Sequence, residues 1–314
     1  MSTVFKARYL NGWPLFWLIT VPMHLFMVTA MLGYDLSDPA DISHMISYSV
    51  RWSVPFIYLV VAASALPVLF PSELSRWCLR NRRYIGLVFA SAMAWQGLFI
   101  FMTSSLHSEY YYDEVYLLRN ELEGSSGYLF LGAMILTSFQ FGRQHLSRAQ
   151  WKVLHRSGVY FLWAYPFAVY WWNVFYYDNP EFIDHAFYWA GFLAFAARIA
   201  AWGKRRALTF EQHGTTMAST LERSAGMMMI GFGLAASATG GSWLETADSV
   251  LMSTPFLESL ELWLPFWPFE PFLPLLMIGL GTWVLTGTLR DPAKNPQEGL
   301  RRTPSAPESA TLQD

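Results

Sequence analysis

Charge is scarce in this chain. Only 14% of its 314 residues are Asp, Glu, Lys or Arg, against roughly 25% in soluble domains, and the deficit excludes a water-soluble globule of this length. Cysteine is nearly absent: Cys78 stands alone, so one chain can form neither an internal disulfide nor a thiolate metal cluster. There is no G-x-G-x-x-G fingerprint and no soluble segment large enough to carry one, so any NAD(P)H or flavin domain belongs to a partner. The net charge of -2, with basic residues in small scattered clusters, leaves no footprint for a nucleic acid. Acidic residues are missing from the middle of the apolar runs, and no inverted repeat is evident. Ion- or proton-coupled transport therefore has little support.

Apolar residues are what the chain has in quantity: 54% are hydrophobic and 18% aromatic. A bilayer core of roughly 30 Å takes about 20 apolar residues per helix. Eight runs qualify, at approximately 13–32, 52–70, 84–103, 126–142, 154–174, 185–202, 224–240 and 271–289. The expected fold class is all-α, a polytopic membrane helix bundle of about eight transmembrane helices. The loops sort by charge in alternation. One set holds Lys6 and Arg8, then Arg76, Arg80, Arg82 and Arg83, then Arg143, Arg148, Lys152 and Arg156, then Lys204–Arg206, and last Arg290, Lys294, Arg301 and Arg302. The other set is acidic, from Asp35 through Glu109, Glu121, Glu123, Asp178 and Glu181 to Glu261 and Glu270, with only Arg51 and Arg119 as cations. The positive-inside rule puts the basic set, and with it both termini, in the cytoplasm.

The first run resembles a secretory signal in its flanks, but it is longer than a signal core and carries bulky Trp and Phe, so it reads as retained. Residues 241–270, with Trp243, Trp263, Phe266, Trp267 and Phe269 beside acidic residues, read as an amphipathic segment or aromatic belt in the outer interface. Gly226, Gly231 and Gly233 in the seventh run read as a close-packing face. Residues 291–314 are rich in Pro, Ser, Glu and Arg and read as a disordered cytoplasmic tail.

Two stretches carry a family resemblance. Residues 51–98 run RWSVPFIYLVVAASALPVLFPS through RWCLRNRRYIGLVFASAMAWQ, and residues 127–170 run GYLFLGAMILTSFQFGRQHLSRAQWKVLHRSGVYFLWAYPFAVY. They resemble helices two to five of the ferric-reductase-like transmembrane domain, as in the haem-binding membrane subunit of the methionine sulfoxide reductase system and, more distantly, the NADPH oxidases. The most specific elements are Arg82-Arg83 with Gly86-Leu87, and Trp151-Lys152 with Leu154-His155-Arg156. The resemblance divides the chain into a bundle over 1–210, two added helices with the outer segment over 211–290, and the tail over 291–314. It implies transmembrane electron transfer through haem b, held between histidines of the third and fifth helices, since an electron-transfer haem takes two fixed axial ligands.

Laid on that pattern, the chain has Gln96 and Ala168 where two of the three expected histidines would stand, and keeps only His155. At 1.5 Å per residue, Gln96 and Ala168 both lie on the order of 20 Å from the cytoplasmic helix ends, at one level. His155 lies level with Arg82, Arg83 and Tyr84, none an ordinary axial ligand. Of the other histidines, His44, His107 and His185 fall outside or at the outer edge, and His145 and His213 in inner loops; only His24 lies deep.

The candidate cofactor-binding residues are thus His155, Gln96 and His24, with no metal site and no catalytic residue assigned. Gln96 suits a quinone carbonyl or a bond across helices. His155 with Lys152 and Arg156 suits a phosphate, such as that of a flavin, or is simply topological charge. His24, with Met23, Met27 and Met31, offers the soft donors that Cu(I) selects, although such stripes ordinarily pack. Two functions remain: an accessory or electron-transfer component of a membrane redox pathway in the bacterial inner membrane, lacking the usual haem; or a non-redox scaffold, assembly factor or small-molecule binder that kept the fold. The expected partners are the lipid bilayer, a quinone and a redox partner protein, without nucleic acid.

Overall fold

A computed structural model describes residues 4–213 and 218–287. Among them there is no strand. The principal helices are α1 Trp13–Met31, α2 Pro39–Ala62, α3 Glu73–Leu106, α4 Leu118–Thr137, α5 Arg148–Phe175, α6 Phe182–His213, α7 Thr220–Ala238, α8 Gly240–Leu251, α9 Pro255–Trp263 and α10 Leu273–Leu285. Three of them, α1, α2 and α3, are long and apolar enough to cross a bilayer by length and composition. Large apolar side chains stand exposed on the outward faces, among them Leu25, Phe26, Phe101, Leu129, Leu193 and Phe232. So much exposed apolar surface suits hydrocarbon rather than water. The predicted tail over 291–314 lies outside the described residues.

Helix starts follow local chemistry. Asp38 accepts from the Ala40 amide at 2.9 Å, ahead of Pro39 in the first turn of α2. Reciprocal caps begin α3 (Ser72 with Ser75), α5 (Ser147 with Gln150) and α7 (Ser219 with Glu222), each satisfying two amides that would otherwise lack partners. α1 has no side-chain cap of its own. Asn81 of α3, almost wholly buried, instead accepts from the Gly12 amide at 3.0 Å and ties the start of α1 to its neighbour.

Several runs differ from their predicted bounds. The second was expected over 52–70, yet α2 spans Pro39–Ala62 and a separate turn covers Leu66–Leu69. The break is held from α6: Arg198 Nη1 donates to the Val61 carbonyl at 3.1 Å and the Ser64 hydroxyl at 2.9 Å, and Arg205 Nη2 to the Ser64 carbonyl at 3.1 Å. Cations thereby satisfy carbonyls left open at a helix end. α4 starts at Leu118, so Glu121 and Glu123, predicted in a loop, lie in its first turns. α10 has 13 residues rather than the 19 of the run over 271–289, of which 288 and 289 lie outside the described residues.

The core lies where α2, α3, α5 and α6 meet, around Trp171, Tyr188, Phe167 and Phe192. Trp163 stacks on Phe167 at 4.7 Å and on Phe195 at 4.4 Å between ring centroids. α1 packs on α3, while α7 and α10 form a pair against α6. That pair is joined through glycine: a Cβ on Gly226 would meet the Gly281 carbonyl oxygen at 2.7 Å, and one on Gly233 the Pro274 carbonyl oxygen at 2.7 Å. Gly231, expected on the same face, has open space instead. The outer segment is two helices, α8 and α9, rather than one amphipathic stretch.

Candidate functional site

Two cavities lie end to end between α2, α3, α4 and α5. The one at the basic end of the bundle, called inner and the other outer after the orientation expected from the loop charges, is about 590 Å³ and is lined by Arg82, Arg143, His155 and Arg198 among others. The outer one, about 380 Å³, holds Gln96, Tyr128, Tyr165 and Glu121. Phe89, Leu131 and Leu162 line both, and so form the apolar partition between them.

Gln96 joins two helices and keeps one end of its amide for the cavity. The Tyr128 hydroxyl lies 3.1 Å from Gln96 Oε1 and 3.1 Å from the Met93 carbonyl oxygen, with a single proton to give between them. The Met93 carbonyl can only accept. A rotation of the Gln96 amide therefore lets either its oxygen or its nitrogen face Tyr128 and the other face the cavity. The walls around this pair are apolar, including Ile46, Val50, Met93 and Phe161, and the outer rim carries Glu121 and Glu123.

His155 sits in the inner cavity with one nitrogen already engaged. Its Nε2 lies 2.9 Å from Thr137 Oγ1, and the threonine hydroxyl spends its proton on the Ala133 carbonyl at 2.6 Å. The imidazole must then donate from Nε2, which leaves Nδ1 as its lone-pair nitrogen. The Trp151 ring lies 4.3 Å away between centroids, and the Trp151 indole N–H donates to the Thr137 carbonyl at 3.1 Å, fixing α5 against the end of α4.

His24 lines neither cavity. Trp95 Nε1 donates to its Nδ1 at 3.0 Å and Ser91 Oγ lies 3.0 Å from its Nε2, so α3 occupies both ring nitrogens and none remains for a metal. Met23 and Met27 beside it are fully packed. Among the described residues no group of three His, Cys, Asp or Glu side chains could hold a metal ion.

A bis-imidazole haem does not fit these residues. At the outer level Gln96 is bonded to Tyr128 and Ala168 is a buried methyl group. At the inner level no second imidazole lines the cavity with His155. The residues that sequence reasoning missed are Tyr128, which engages one end of the Gln96 amide, and Arg198, which reaches the inner cavity from α6. Neither carries a local motif; both are found only by knowing which helices touch.

A polar knot lies at the rim of the outer cavity, which it meets through Glu123. Arg119 Nε lies 3.3 Å from Glu123, its Nη1 pairs with Glu261 of α9, and its Nη2 donates to the Trp267 carbonyl at 2.7 Å. Glu123 in turn accepts from the Phe266 amide at 2.9 Å. Beside the knot, Tyr111 donates to Glu121, and burial together with that carboxylate pushes the Tyr111 hydroxyl above its ordinary range.

Comparison with protein-family models, curated proteins and solved structures finds no match to this chain.

Proposed function

We propose that this chain is an integral protein of a bacterial inner membrane that binds a quinone in its outer cavity and serves a membrane redox pathway as an accessory or electron-transfer component. In this reading it crosses the bilayer eight times with both termini cytoplasmic. It retains a ferric-reductase-like bundle and has given up the bis-histidine haem. The support for the bundle is the pair of stacked cavities between the helices that carry the resemblance. The observation that carries the ligand is the Gln96 amide beside Tyr128 in an apolar recess. A quinone presents carbonyl acceptors and a quinol presents hydroxyl donors, and an amide that can turn either end to the ligand serves both.

The test is a titration of the purified full chain with a short-chain benzoquinone, read by quenching of tryptophan fluorescence. Gln96→Leu is expected to weaken binding about tenfold, the worth of one hydrogen bond in a largely apolar site. Absence of quenching in the unaltered protein would overturn the reading and leave the scaffold or assembly factor.

A further inference from the structure

We infer that the inner cavity is a binding site for a phosphate-bearing anion with an apolar body. Six cations line it, Arg82, Arg83, Arg143, Lys152, Arg156 and Arg198, and none of its lining residues is acidic. Three of them are steadied by neutral groups. The Arg83 guanidinium lies 5.0 Å from the centre of the Phe139 ring, Arg143 5.3 Å from that of Trp151 and Arg198 4.9 Å from that of Tyr160. Arg198 is further pinned by its bonds to the Val61 carbonyl and the Ser64 hydroxyl. These contacts fix the groups without neutralising them. Arg82, Lys152 and Arg156 have neither a hydrogen bond nor an ion pair with a described residue.

The two cations of the outer face are handled differently. Arg51 reaches Glu181 at 3.4 Å and Arg119 reaches Glu123 at 3.3 Å. Cations that serve only to orient the chain can stay in water at the helix ends. Here they converge from α3, the turn Gln140–Arg143, α5 and α6 into one recess, and Arg82 is only partly exposed there. Convergence of like charges in a partly desolvated space is unfavourable unless an anion joins them. Several guanidinium forks approaching from different helices suit a tetrahedral oxyanion, which can take paired N–H donors on more than one edge. Behind the cations the wall becomes apolar at Ile57, Leu131 and Leu162, room for a hydrocarbon or ring attached to the phosphate. The headgroup of an inner-leaflet phospholipid and a free phosphate ester share this chemistry. The site uses other polar residues at the other end of the bundle and shares only the apolar partition with the outer cavity, so it stands or falls independently of the quinone reading.

The experiment is thermal melting of the full chain in neutral detergent at constant ionic strength. In one arm potassium phosphate replaces chloride; in the other, mixed micelles carry phosphatidylglycerol in place of phosphatidylcholine. A rise in melting temperature is expected in at least one arm. A response to inorganic phosphate assigns a free anion, and a response to phosphatidylglycerol alone assigns a lipid. The half-saturating concentration should rise about tenfold in Arg82→Gln and in Arg156→Gln, and stay unchanged in Arg76→Gln, an exposed basic residue on α3 away from the cavity. Should Arg82→Gln fail to fold, Arg156→Gln at the exposed mouth carries the comparison. No shift in either arm, or an equal loss in Arg76→Gln, would overturn the proposal.

Discussion

Glu270 offers the most quantitative test of the packing in the outer segment. Its carboxyl is 1% exposed, and neither oxygen has a hydrogen-bond partner. Burial pushes its pKa up to about 7 from an ordinary 4.5; Asp248 and Glu261 add to the rise, while its own backbone amide and Arg119 oppose it. At about 1.4 kcal/mol for each tenfold change in proton affinity, the rise amounts to about 3 kcal/mol. Between these two pH values the folded chain holds a proton that the unfolded chain has released, so stability falls as pH climbs. The penalty is absent below about pH 4.5 and complete above about pH 8. Glu270→Gln keeps the shape and removes the charge. It should match the unaltered protein near pH 4.5 and exceed it by about 3 kcal/mol near pH 8, a rise of several degrees in melting temperature. Melting curves in one detergent across that range decide the matter. Parallel pH profiles for the two proteins would refute the assignment of a buried, uncompensated carboxylate.

Other outcomes follow from single contacts. Gly226→Leu forces a side chain into the Gly281 backbone and should cost about 1–3 kcal/mol, seen as a lower melting temperature. His24→Leu leaves the Trp95 indole and the Ser91 hydroxyl without their partner. It should also cost about 1–3 kcal/mol while leaving quinone quenching unchanged; a loss of quenching would show His24 at the ligand. Arg119→Met releases Glu123, Glu261 and the Trp267 carbonyl together, so limited proteolysis should cut between α8 and α10 faster than in the unaltered chain. The purified protein, before and after dithionite, should lack the Soret and alpha bands of a bis-imidazole b-type haem; their presence would refute the finding that these residues do not fit one.

Much of the helical layout is legible in the sequence, because apolar length is a local property. Each of the eight predicted runs overlaps a helix, and the caps at Asp38, Ser72, Ser147 and Ser219 are written in neighbouring residues. Helix ends are less legible where a distant side chain sets them: the end of α2 depends on Arg198 and Arg205, more than a hundred residues away. The same holds for the candidate residues. The family resemblance points to Gln96 and His155, and depth in an apolar run points to His24, but a hydrogen bond across helices and an open ligand position look alike in one dimension. Only the tertiary structure separates them, because burial and hydrogen-bond partners are properties of pairs. It gives both ring nitrogens of His24 to α3, one of His155 to Thr137, and one end of the Gln96 amide to Tyr128. The sequence by itself determined an all-helical, apolar, charge-poor chain with few polar groups inside its apolar runs. The packing decided which polar atoms are spent on holding helices together and which still face a cavity.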